Sequence, residues 1–414
     1  MGSNPTVSYI KDLDSKKYYS WVLYDWANSA YATIVLAGFF PIIFAEYFAS
    51  FIPSSERTLY LGISNSAASL FLIFLAPLFG LLADKFSNKK SFLLIFAGLS
   101  IISTLILSLI SKDSYILASM FFSISLLGFM MSNVFYDSML LNFESDKYDK
   151  ISSMGYALGY LGGGLAFVFT LIFLYFNSDS SVEIISSNKI VFIFAAVWWI
   201  LFMTPLYLYW NEKPIDNIQT TNVLDTFREI KLNKPIFLFL ISYWIYIDGV
   251  DTIIRMAINY GLILGFTSTD LLIALLVTQF VAFPGTLIIN RISELSSPVI
   301  AISGCLIIYL IITILSYFLN HIYEFYLIAS LIGFVQGGIQ ALSRSYYARL
   351  IPNNKHSEYF GIYNMLGKFA ALLGPLLVGF VSYAFNDSRL GILSISIFFI
   401  IGIYFFLLAS KTRI

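Results

Sequence analysis

Residues 237–264 read FLFLISYWIYIDGVDTIIRMAINYGLIL, a run long and apolar enough to cross about 30 Å of hydrocarbon. Midway it carries Asp248, Asp251 and Arg255, with Asn259 one turn on. An ionised side chain at bilayer depth costs about 3 kcal/mol or more unless it faces protein, water or a partner, so such residues mark transport paths. The spacings of three, four and four residues put all four groups on one helical face and bring Asp251 within ion-pair reach of Arg255. A polar stripe in a membrane helix predicts a polar cavity.

The rest of the chain agrees. Of 414 residues 58% are hydrophobic and 12% charged, against about a quarter charged in soluble domains. The expected fold class is therefore an all-α polytopic membrane protein. Lysine plus arginine equals aspartate plus glutamate at 24 each, which leaves no basic face for nucleic acid. The single cysteine, Cys305, excludes an internal disulfide framework and a Cys-based metal site. His321 and His356 fall in predicted loops on opposite sides of the membrane. With no nucleophile motif and no Walker-type glycine loop, neither enzymatic activity nor a cofactor nor a bound metal is expected, and energy must come from an ion or solute gradient. Residues 1–18 hold Lys11, Asp12, Asp14, Lys16 and Lys17 but no apolar core before a cleavage site, so no signal peptide is expected and the first span serves as the membrane address.

Apolar stretches of about 20 residues number twelve: 20–48, 58–83, 91–110, 115–143, 152–176, 189–210, 235–262, 270–290, 298–319, 323–350, 358–385 and 390–410. All must be helices, because lipid offers the backbone no other partner. The longest polar interruption, Asn211 to Lys234, divides six spans from six. The expected organisation is a tail at 1–18, a six-helix bundle at 19–211, a linker at 212–234 and a second bundle at 235–414. Placing both termini in the cytoplasm puts about 18 basic residues inside and leaves Arg57, Lys112, Lys189 and Arg389 outside. A cell (inner or plasma) membrane is the expected location, with Tyr18, Tyr19, Trp21, Tyr207, Tyr209 and Trp210 as an inner aromatic belt. Gly155, Gly159 and Gly163 recur every four residues, as close helix packing requires, and Pro41, Pro205, Pro284 and Gly374-Pro375 are expected to bend or end helices.

The loop after span 2, Gly80-Leu-Leu-Ala-Asp84-Lys85-Phe-Ser87-Asn-Lys89-Lys90, resembles the cytoplasmic motif between helices 2 and 3 of the major facilitator superfamily. Ser87 stands where that motif has glycine, the residue that tolerates positive φ without cost. The resemblance implies two six-helix bundles and a gating role for Gly80, Asp84 and Lys85. The loop after span 8, Asn290-Arg291-Ile-Ser-Glu294, is too degenerate to count. Within that superfamily, several stretches are similar to the vacuole effluxers related to a fungal autophagy protein. They are Leu23-Tyr24-Asp25-Trp26-Ala27-Asn28-Ser29-Ala30-Tyr31-Ala32, Gly155 through Gly163, Asp248-Gly249-Val250-Asp251-Thr252 with Arg255, Gly337-Gly-Ile-Gln340-Ala-Leu-Ser343-Arg344-Ser, and Glu358-Tyr-Phe-Gly361-Ile-Tyr-Asn364 with Gly367-Lys368. This implies a transporter, with amino-acid export as the fungal role.

In the major facilitator arrangement helices 1, 4, 7 and 10 line the cavity, and the polar groups of this chain fall largely on them. Span 1 gives Tyr24, Asp25 and Asn28; span 4 gives Asn133, Tyr136 and Asp137. Span 7 gives Asp248, Asp251, Arg255 and Asn259, and span 10 gives Gln336, Gln340 and Arg344, which share one face. Lys368 sits deep in span 11 with Asn364 a turn before it, and Asp25 or an acid of span 7 is its expected partner. Asp248, with no basic residue one turn before it, reads as the free carboxylate. These groups suit a small zwitterionic, amino-acid-like solute, with Arg255 or Lys368 for a carboxylate and Asp248 or Asp251 for an amine. The expected function is secondary active transport by alternating access, coupled to H⁺ or, alternatively, Na⁺. The rival readings are an efflux pump for amphipathic compounds and a membrane receptor or assembly factor that moves nothing.

Overall fold

The computed structural model describes residues 5–52, 54–176, 189–212, 223–352 and 355–412. The described residues are helical apart from short connections, as a chain surrounded by lipid must be. The membrane helices are α1 (Pro5–Ala30), α2 (Ser54–Lys85), α3 (Lys89–Leu109), α4 (Tyr115–Met139), α5 (Tyr148–Phe176) and α6 (Ile190–Tyr209). After the linker come α7 (Lys234–Ile263), α8 (Ser268–Leu295), α9 (Pro298–Tyr317), α10 (Ile322–Ala348), α11 (His356–Phe385) and α12 (Ser396–Lys411). Eleven of these positions hold helices long and apolar enough to span a bilayer among the described residues. The remaining one, α11, is 30 residues long, about 45 Å at 1.5 Å per residue.

Span 1 departs from a plain α-helix. Beyond Ala30 it runs as π-helix over Tyr31–Phe39, returns to α over Phe40–Ile43 and is π again over Phe44–Phe48. Pro77, Pro205, Pro284 and Pro375 all lie inside helices, so none of them ends one. The linker carries a helix of its own, Val223–Leu232.

Two compact units emerge from the packing. The first holds residues 1–75, 86–137 and 158–216; the second holds 76–85, 138–157 and 217–414. The boundaries therefore run through α2, α4 and α5, and the second unit includes chain segments that precede the linker. A cut at the linker alone would have left them in the first bundle.

In the first unit α5 packs closely on span 1. A Cβ on Gly159 would come within 2.9 Å of Ser29 Oγ, one on Gly163 within 2.5 Å of Thr33 Oγ1, and one on Gly162 within 2.7 Å of the Trp26 ring. Trp21 and Trp210, expected at the membrane interface, are fully buried instead. Trp21 stacks on Tyr136 with ring centroids 4.4 Å apart and donates its indole N–H to the Tyr136 carbonyl at 3.1 Å, so its polar edge is satisfied inside the protein and needs no headgroup. Tyr19, Tyr207 and Tyr209 stay exposed. At the start of α3, Glu212 accepts the Lys89 and Lys90 backbone N–H groups at 2.8 and 2.5 Å. Burial pushes its carboxyl above the ordinary value, although both backbone hydrogen bonds and the Lys89 charge pull it down.

In the second unit α7 and α10 are the innermost helices, with 72% and 67% of their apolar windows buried against 28% for α8. This ranking matches their polar content, since a polar group is tolerated at membrane depth only where protein or water meets it.

Candidate translocation site

In the first unit, α1 and α4 bring their polar residues together. Asp25, buried, accepts the Tyr136 hydroxyl at 2.8 Å, and one turn on Asn28 donates its amide to Asn133 Oδ1 at 2.8 Å. The Tyr24 ring leans on Tyr136 at 4.9 Å; its hydroxyl is buried and has no hydrogen-bond partner among the described residues. Asp137 is buried as well. Sequence reasoning missed Trp199 of α6, which is buried and packs against both Tyr24 and Tyr31, at 6.5 and 5.7 Å. Only a composition rich in tryptophan near position 199 pointed to it.

In the second unit, Asp248 is 1% exposed. Its Oδ1 accepts the Gly374 backbone N–H at 2.9 Å and the Thr252 hydroxyl at 3.4 Å. It is thus joined to α11 rather than free, as the sequence had suggested. Asp251, one turn on, is half-buried, and Arg255 is exposed. The expected Asp251–Arg255 ion pair is not formed among the described residues. An exposed pair gains only about 0–1 kcal/mol, too little to hold a long side chain in one place. The side chains of Asn259 and Lys368 lie outside the described residues.

On α10, Gln336 is buried with its Oε1 unpartnered among the described residues, and Gln340 is half-buried. Arg344 is almost fully buried and donates from Nε to Ser152 Oγ at 2.9 Å and from Nη2 to the Ser152 carbonyl at 3.1 Å. Asn364 donates to the Phe360 carbonyl of its own helix at 3.1 Å. Tyr243 and Tyr363 stack at 4.0 Å between α7 and α11, and Tyr246 shares a hydrogen bond with Ser343 at 2.6 Å. Tyr243 and Tyr363 were not singled out by sequence, where they blend into aromatic-rich helices.

The motif residues up to Lys85 form a third group in the same unit. Asp84 Oδ2 accepts the backbone N–H groups of Ser357 and Glu358 at 2.7 and 2.9 Å, capping the first turn of α11. A carboxylate there satisfies orphan donors and meets the positive end of the helix dipole. Gly80 allows the approach, since a Cβ would overlap the Ser357 carbonyl. Lys85 is exposed. Ser87 adopts φ +47°, the left-handed turn that the motif's glycine would take. The linker helix is tied to the same end of α11: Thr226 donates to Glu358, and Lys355 pairs with Glu229 at 2.6 Å. Among the described residues, no group of three or more His, Cys, Asp or Glu is gathered to hold a metal.

The family described as "Vacuole effluxer Atg22 like" matches residues 54–146 and 141–413. The chain is 35% identical over 400 residues to the uncharacterized MFS-type transporter YxiO of Bacillus subtilis, covering 94% of each. It is 23% identical over 397 residues to autophagy-related protein 22 of Kluyveromyces lactis, covering 85% of this chain and 79% of that one. Among solved structures it is similar in fold to the E. coli fucose:proton symporter FucP, with TM-score 0.72 and 14% identity over 97% and 99% of the two chains. It is likewise similar to the human organic anion transporter MFSD10, with TM-score 0.74 and 12% identity over 98% and 100%. The fold is that of the major facilitator superfamily, and with a match of this extent the chain belongs to the Atg22-like vacuole effluxer family of multi-pass membrane transporters.

Proposed function

We propose that this protein is a secondary active transporter that moves a small zwitterionic, amino-acid-like solute by alternating access, coupled to protons. The observation that carries the reading is Asp248, a carboxylate buried in the middle of a membrane helix and hydrogen-bonded to the backbone beside Pro375 of a second helix. Such a group is costly to keep and is retained where its charge is used. Asp25, hydrogen-bonded to Tyr136, supplies a second ionisable group in the other unit. Asp251 and Arg255 add charges of both signs suited to an amine and a carboxylate. Both termini lie in the cytoplasm of a cell whose plasma membrane holds the protein, a reading supported by the distribution of lysine and arginine.

Purified protein in proteoliposomes, offered a mixed pool of radiolabelled amino acids with and without a pH gradient, tests this directly. Gradient-dependent accumulation that disappears in Asp248→Asn supports the reading. Uptake of amphipathic dyes in place of amino acids would favour the efflux pump. No flux of any solute, with wild-type cellular function in Asp248→Asn, would favour the receptor.

A further inference from the structure

The linker helix, Val223–Leu232, ends one residue before α7 begins its membrane span at Lys234. Its residues sort into rows. Thr226 and Ile230, four apart, are 0% and 5% exposed and face the protein, where Thr226 donates to Glu358. Asp225 and Glu229 make an acidic row, and Glu229 is held by Lys355 at 2.6 Å. Leu224, Phe227, Arg228 and Lys231 fall at i, i+3, i+4 and i+7, so they share an outer row, and all four are exposed.

The connection to α7 has no slack. Asn233 donates its backbone N–H to the Glu229 and Ile230 carbonyls at 2.9 and 3.1 Å, and its Oδ1 accepts the Ile236 N–H of α7 at 3.4 Å. Since α7 crosses the bilayer from this point, the linker helix is kept at the membrane face, and Lys234, also exposed, extends its basic row. Isolated exposed apolar residues are ordinary. Here, however, Leu224 and Phe227 are 69% and 39% exposed on the same face as two cations, at the depth of the headgroups. Apolar and basic groups on one face of a short helix are the pattern of a helix lying in a membrane interface.

We propose that this outer row docks on anionic headgroups of the surrounding bilayer, with Arg228, Lys231 and Lys234 meeting phosphate oxygens while Leu224 and Phe227 enter the acyl boundary. The long basic side chains reach outward past the apolar ones. Arg228 touches Asp225 at 3.2 Å, but the two are 78% and 51% exposed, so that pair is weak and leaves guanidinium donors for a second anion. The bilayer is always present at the start of α7, whereas a soluble protein would leave Leu224 and Phe227 hydrated whenever it departed. The docking holds whichever solute the protein carries.

The test replaces Cys305, the single native cysteine, by alanine and introduces Leu224→Cys, which keeps Phe227 and every basic group. The full-length protein is placed in nanodiscs of phosphatidylcholine alone or mixed with phosphatidylglycerol, and alkylation by a neutral polyethylene-glycol maleimide is timed. Each basic residue engaged should slow the reaction about 5-fold, so the mixed lipid should slow the parent by about 10- to 100-fold. Lys231→Gln should return about 5-fold of this, Arg228→Gln with Lys231→Gln should return more, and high salt should act in the same direction. These positions are exposed, so the variants are expected to fold. Equal rates in the two lipids would overturn the proposal. So would slowing that survives the charge-removing variants, since burial would then not depend on headgroup charge. Fast alkylation in both nanodiscs but slow alkylation in native membrane vesicles would assign the row to a protein partner and overturn it as well.

Discussion

Asp248 Oδ1 holds the backbone N–H of Gly374, one residue before Pro375, across 2.9 Å between α7 and α11. The contact depends on glycine. A Cβ at position 374 would overlap Thr252 Oγ1 and come within 2.7 Å of Asp248 Oδ1. Gly374→Ala is therefore expected to cost about 1–3 kcal/mol, the usual penalty for an extra methyl in a packed site. Adding Thr252→Ala removes the nearest obstruction and should restore part of the loss. Thermal unfolding of the two variants in detergent checks this, and a double variant no more stable than Gly374→Ala would show that the close approach is not what matters.

Substitutions at Asp248 itself separate structure from charge. Asn retains an oxygen for Gly374, whereas Leu leaves that buried N–H without its partner, at about 1–3 kcal/mol. Asp248→Leu should thus unfold at a lower temperature than the wild type while Asp248→Asn stays close to it. If both melt together well below the wild type, the carboxylate's charge is structural and a transport role at Asp248 loses its support.

How much of this was legible in the sequence depends on the range of the interaction. Membrane helices, the close packing at Gly159 and Gly163 of α5 and the turn at Ser87 follow from rules that act within a few residues, and the structure carries each of them. The capped start of α11 was foreshadowed by the motif at Asp84. Asp149 carries no mark in the sequence, because its partners Ser293 and Arg349 lie 144 and 200 residues away and nothing local distinguishes a buried carboxylate from a hydrated one. Trp21 and Trp210 misled for the related reason that an interfacial preference yields to a tertiary stacking partner. The π-helical turns of span 1 carry no local signature beyond Gly38 and Pro41, and they arise in a helix packed tightly on α5.

Ser87 in its left-handed turn offers a stabilising change. A non-glycine residue at φ +47° bears a steric cost of about 1 kcal/mol, which glycine avoids while losing some of the gain to its freer unfolded chain. Ser87→Gly should raise stability by about 0.5 kcal/mol without altering flux, as melting curves and uptake measured side by side would reveal. A destabilised Ser87→Gly would mean that the serine side chain contributes more than its backbone strain removes.

Glu212 makes the protein's stability depend on pH in a direction set by its surroundings. It caps the start of α3 through the Lys89 and Lys90 N–H groups, yet burial outweighs these bonds and raises its carboxyl above the ordinary range. The folded protein therefore holds this proton more tightly than the unfolded chain does, whose glutamates titrate near about pH 4.3. The resulting stabilisation is full below that value and is lost as pH rises through the folded-state value. Relative to Glu212→Gln, which cannot titrate, the wild type should gain melting temperature as pH is lowered from about 7 toward about 5. A difference that stays flat, or that shrinks on acidification, would indicate that the backbone donors and the Lys89 charge outweigh burial at this carboxylate.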